Sequence, residues 1–92
     1  MSHTSKNQSV LLARVRRIKG QIEAVERGIV SESPCADILN LVASVRGAVN
    51  GLTVEMIEDH IRTHVADPET DENADRAQGA EDLIRVIRTY LK

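Results

Sequence analysis

Two apolar stripes constrain this chain more than any other feature. In VLLARVRRIKGQIEAVERGIV, the residues Leu11, Val15, Ile18, Ile22, Val25 and Ile29 recur at alternating steps of four and three. Ile38, Val42, Val45, Val49, Leu52 and Met56 then repeat the same steps. Such steps keep side chains on one narrow line of an α-helix, whereas a strand would need alternation every second residue. The chain therefore reads as all-α, with two long helices joined through SESP into an antiparallel hairpin. Gly28 falls in the last turn of the first helix. Ser33 is placed to cap the second, with Pro34 at its first position. A shorter C-terminal helix follows, with Ala80, Leu83, Ile84, Ile87, Tyr90 and Leu91 as its apolar face. The acidic VADPETDENAD between them reads as a solvated connection.

Ninety-two residues suit a single domain spanning 1–92. There is no Phe, no Trp and one Tyr, so the core must be aliphatic. A core so small and poor in aromatic area points to an oligomer that shares it. Gly47 and Gly51 weaken the second helix, and with the small Ala48 between them they suggest a close helix approach there. Asn50 reads equally well as a buried register device or as a surface residue. No apolar leader and no run of about 20 apolar residues is present, so neither secretion nor membrane spanning is expected. One cysteine cannot form an internal disulfide and suits a reducing cytoplasm.

The formal charge of −2 hides a strong segregation. Residues 1–30 carry Lys6, Arg14, Arg16, Arg17, Lys19 and Arg27 against Glu23 and Glu26, a net +4. Residues 66–82 carry seven acidic residues against Arg76, a net −6. The basic first segment is the candidate nucleic-acid surface. Arg14, Arg17 and Gln21 flank one side of its apolar stripe; Arg16, Lys19 and Glu23 lie toward the other. No helix-turn-helix and no aromatic stacking platform is evident.

Three histidines and the one cysteine, Cys35, are the candidate ligands. His60 and His64 stand four apart, a spacing that lets two imidazoles share one ion. Along a continuous helix, Cys35 lies roughly 37 Å from His60, so one chain cannot bring both to one ion. The first helix runs back along the second and returns His3 to the histidine end. If two second helices pair antiparallel, Cys35 of one subunit meets His60 and His64 of the other, giving two sites per dimer. Removal of Met1 would free the Ser2 amine as a further donor. Nitrogen donors with one thiolate suit borderline divalent ions, with Cu²⁺ and Zn²⁺ as competitors; five or six donors would favour Ni²⁺ or Co²⁺. Glu55, Glu58 and Asp59 read as ordinary helix-surface carboxylates, so no enzyme is expected.

RVRRIKGQIEAVER, PCADIL, VASVRGAVNGLTVEMIEDHI and the ending RTYLK together resemble the CsoR/RcnR/FrmR family of small all-helical bacterial transcriptional repressors. The likeness covers nearly the whole chain. It implies an antiparallel dimer assembling into a tetramer, an effector site between subunits, and no organic cofactor. It also implies that the effector-free protein binds double-stranded operator DNA through basic residues of the first helix. Arg14 and Arg17 are the foremost candidates, followed by Arg16 and Lys19, with Arg46 behind them. Effector choice in the family is read from positions that here hold His3, Cys35, His60 and His64. That set resembles the nickel/cobalt branch, whose members derepress a metal efflux gene. Copper-sensing members carry a second cysteine where this chain has His64. The formaldehyde branch is the alternative: its members join an N-terminal amine to the cysteine through a methylene, commonly from Pro where this chain has Ser2. The RVRRIKGQIEAVER segment is closer to that branch.

Overall fold

A computed structural model describes residues 7–91. Helix α1 spans Gln8–Val30 and α2 spans Cys35–His60; a π-helical turn, Ile61–Val65, continues α2, and α3 spans Ala74–Tyr90. The described residues contain no strand. The all-α hairpin with a C-terminal helix is therefore what the chain forms.

Contacts along the hairpin show that α1 and α2 run antiparallel. Asn7 reaches Asp59, Arg14 reaches Glu55, and Gly28 lies against Ile38 and Leu41. Gly28 allows a close approach, since a Cβ there would stand 3.3 Å from Ile38 Cγ1 and Ile38 would have to give by a few tenths of an ångström. The turn closes α1 with two backbone bonds: the Ser33 N–H donates to the Gly28 carbonyl (2.9 Å) and the Glu32 N–H to that of Ile29 (3.1 Å). This is a Schellman closure, and its left-handed position is held by Glu32 at φ 54° where glycine is usual. Ser33 does not cap α2. Pro34 stands at the N-cap, one residue later than the sequence reading placed the start, and the Ser33 hydroxyl pairs with that of Ser31.

Each apolar stripe splits into two rows of seven-residue spacing. Leu11 is buried and Ile18 and Val25 half-buried on α1; Ile38, Val45 and Leu52 are half-buried on α2. The alternate rows, Val15, Ile22 and Ile29 on α1 and Val42, Val49 and Met56 on α2, stay exposed. A four-and-three stripe offers both of its rows to helix packing, and the hairpin uses only one. The Cα envelope of 57 × 28 × 12 Å is correspondingly thin, since a second layer of helices would add about 8–10 Å between axes.

The buried core lies at one end. Val54, Ile61, Ala66, Ala80, Ile84 and Ile87 form one cluster, with Ile57 packed beside it. Of the apolar face expected for α3, Ala80, Ile84 and Ile87 are buried, while Leu83, Tyr90 and Leu91 are exposed. Asn50 has a definite role: its amide donates to the Leu91 carbonyl, tying α2 to the end of α3.

The acidic connection is more than solvated chain. Asp67 accepts from the Glu69 N–H, and Asp71 accepts from the Asn73 N–H (2.9 Å) and from the Arg76 guanidinium. Asn73 caps α3 by accepting from the Arg76 N–H at 3.0 Å. The Arg76 hydrogen bonds hold the Asp71 carboxyl below the usual carboxylate range. Among the described residues, no helix is long and apolar enough to cross a membrane.

Candidate effector and nucleic-acid sites

Helix α2 runs unbroken from Cys35 to His60, which puts those two residues at opposite ends of a rod roughly 37 Å long. At the far end, His60 and His64 come together, with ring centroids 4.9 Å apart and planes tilted by 43°. His64 sits in the π-helical turn rather than in α2 proper; single π turns recur at functional sites. Both histidines are exposed, as is the Cys35 thiol. Ser2 and His3 lie outside the described residues. Asn7, the first described residue, donates to Asp59 Oδ1 at 3.2 Å, which sets the start of α1 against the end of α2.

Among the described residues, no three His, Cys, Asp or Glu side chains are close enough to hold an ion. The donor chemistry nevertheless suits a borderline metal, because two imidazoles converge at one end and a thiolate-forming side chain stands exposed at the other. Cys35 follows the same α2 face as Val42, Val49 and Met56, at steps of seven, and His60 and His64 continue that face at steps of four. All six of these residues are exposed.

Two carboxylates here depart from the sequence reading. Glu58 and Asp59 are not surface residues: they are 3% and 7% exposed. Glu58 accepts from Arg88 Nη2 at 3.0 Å and from Arg88 Nε, with Arg62 3.8 Å away. The pairing raises the Arg88 pKa further above its ordinary value. Asp59 keeps one buried oxygen, Oδ2, that has no hydrogen-bond partner among the described residues. A sequence signal for Glu58 did exist. Val54, Glu58 and Ile61 follow steps of four and three, a second stripe that α3 and the π turn cover. Glu55 remains partly exposed.

On the basic face, Arg14 and Arg17 line a groove of about 290 Å³ with Gln21, Ser44 and Ala48. Arg16 and Lys19 are exposed elsewhere on α1. Arg46 borders a separate depression with Ala43, Gly47 and Asn50.

Known proteins place this architecture. The sequence model described as "metal-sensitive transcriptional repressor" matches residues 7–89. The chain belongs to this repressor family. An uncharacterized protein from the bioA 5′ region of Serratia marcescens is 49% identical over the full length of both chains. The transcriptional repressor RcnR of Salmonella paratyphi B (strain ATCC BAA-1250 / SPB7) is 36% identical, again over the full length of both. Among solved structures, a Glu-to-His variant of the formaldehyde-responsive regulator FrmR from Salmonella enterica serovar Typhimurium matches with a TM-score of 0.67. It is 41% identical, and the match covers 97% of this chain and 99% of that one. Members of the metal-sensitive repressor family are regulators rather than enzymes. Membership implies DNA binding, self-association and response to a metal.

Proposed function

We propose that this repressor binds operator DNA in its effector-free form and is released by Ni²⁺ or Co²⁺ bound between subunits, derepressing a metal efflux gene. One observation carries the reading: His60 and His64 converge at one end of α2, a full helix length from the thiol on the same face. Pairing two such faces antiparallel brings Cys35 of each subunit to the histidine pair of the other and buries the exposed rows between them. His60, His64, Cys35, His3 and the Ser2 amine then form the ligand set, which suits Ni²⁺ or Co²⁺ at five or six donors, with Zn²⁺ and copper as competitors. The row of Val15, Ile22 and Ile29 gives two dimers an apolar surface on which to form a tetramer. Operator binding puts the working protein in the bacterial cytoplasm.

Arg14 and Arg17, with Arg16 and Lys19, contact operator phosphates. Binding then depends steeply on salt and reads DNA shape more than base edges. Effector and DNA weaken one another by the same factor, typically ~1–3 kcal/mol.

A second reading has its own support. The FrmR variant named for formaldehyde response is more identical to this chain than the RcnR relative is, and Cys35 is exposed. In that reading, formaldehyde bridges Cys35 and the N-terminal amine and relieves repression of a detoxification operon. A titration of the operator complex with Ni²⁺, Co²⁺, Zn²⁺, Cu(I) and formaldehyde separates the two. Release by Ni²⁺ or Co²⁺ at the lowest concentration is the expected result. Release by formaldehyde alone, with a one-carbon bridge between Ser2 and Cys35 in the mass spectrum, would replace it.

A further inference from the structure

We propose that Glu55 and Gly51 of α2 form a seat that competes with operator phosphate for the Arg14 guanidinium. The inference rests on Arg14 being a DNA contact, as proposed above.

Three observations meet at this point. Arg14 Nη2 lies 3.9 Å from Glu55 Oε2, with both side chains partly exposed. A Cβ built on Gly51 would stand 3.1 Å from Arg14 Nη1, which among the described residues is its one neighbour within 4 Å besides adjoining residues and its own helix backbone. Arg14 also lines the groove shared with Arg17, Gln21, Ser44 and Ala48. Glycine is a poor helix former. The other glycine of α2, Gly47, has nothing within 4 Å of its Cβ position. At residue 51 the absence of a side chain lets the Arg14 guanidinium approach α2 closely.

A long, solvent-accessible ion pair is weak, and a weak pair is what an exchange requires. Paired with Glu55, the guanidinium rests on α2; paired with phosphate, it must lift away from that helix. The partner choice of a DNA-contacting arginine is therefore set by α2. The same unbroken helix carries His60 five residues beyond Glu55, so repositioning α2 at its effector end alters the seat directly.

The test is a double-mutant cycle read by operator affinity in the full-length, effector-free protein. Glu55→Gln removes the competing charge while keeping the shape. Gly51→Ala changes no charge and crowds the guanidinium, which must give by a few tenths of an ångström, while favouring the helix. Each should tighten operator binding by about twofold to fivefold, the range of an exposed ion pair. In an Arg14→Ala background both effects should vanish. Equal tightening by Glu55→Gln with and without Arg14 would reduce Glu55 to a general negative field and overturn the seat. Weaker binding by either variant, or a Gly51→Ala change confined to a higher melting temperature, would overturn it as well. If Arg14→Ala alone leaves operator binding intact, the failure lies in the DNA role of Arg14, and the seat falls with it.

Discussion

Where α2 ends, at His60, the π-helical turn and α3 cover it, Ile84 is only 2% exposed, and the buried Glu58 carboxylate is held by Arg88. Where α2 begins, at Cys35, the four-residue turn and the last turns of α1 are its neighbours, and Gly28 is the buried residue there. One end of the hairpin completes a core within the chain. The other remains a two-helix ribbon whose outward rows end at an exposed thiol. The histidine end is fixed by tertiary packing within the chain; under the proposed assembly, the cysteine end gains its partner ligands by association.

The largest expected effect follows from placing a charge on the outward row. Val49 stands near the midpoint between Cys35 and the histidines, so an antiparallel pair brings Val49 of each subunit close to its symmetry mate. Val49→Asp should weaken dimerisation by about 100-fold, because each dimer then buries two like charges at its centre. Light scattering and circular dichroism would show smaller particles with retained helicity; an unchanged assembly would mean that this row is not the interface. A smaller effect belongs to the other end. Ile84→Val should lower stability by about 1 kcal/mol in thermal unfolding, while the rate of thiol modification at Cys35 in the folded protein stays the same. A changed modification rate at Cys35 would show that the two ends are not independent.

Much of this division was legible in the sequence. The four-and-three stripes marked out both long helices and the hairpin, because they concern one periodicity repeated along the chain. The placement of His60 and His64 followed from the same geometry. What escaped was set by long-range contacts. Glu58 looked like a surface carboxylate because its partner, Arg88, is thirty residues away; the short stripe of Val54, Glu58 and Ile61 marks a covered face and does not name that partner. The roles of Asn50 and Gly51 depend on single contacts, with the Leu91 carbonyl and the Arg14 guanidinium, that cross between helices. The acidic connection looked featureless because carboxylates that fold a loop through backbone N–H groups have the same composition as carboxylates that merely face water. Pro34 shifted by one position because the Ser33 hydroxyl found Ser31 instead of the helix end.

The central claim is that one effector site takes Cys35 from one subunit and His60 and His64 from another. Mixing Cys35→Ala chains with His64→Ala chains tests it directly, by metal-binding stoichiometry after the two have been unfolded and refolded together. Neither variant alone should hold Ni²⁺ or Co²⁺ tightly. Each mixed dimer should regain one complete site, since the His64→Ala chain supplies Cys35 and the Cys35→Ala chain supplies both histidines. If the mixture binds no more metal than its two components do separately, the ligands are not shared between subunits and the account fails.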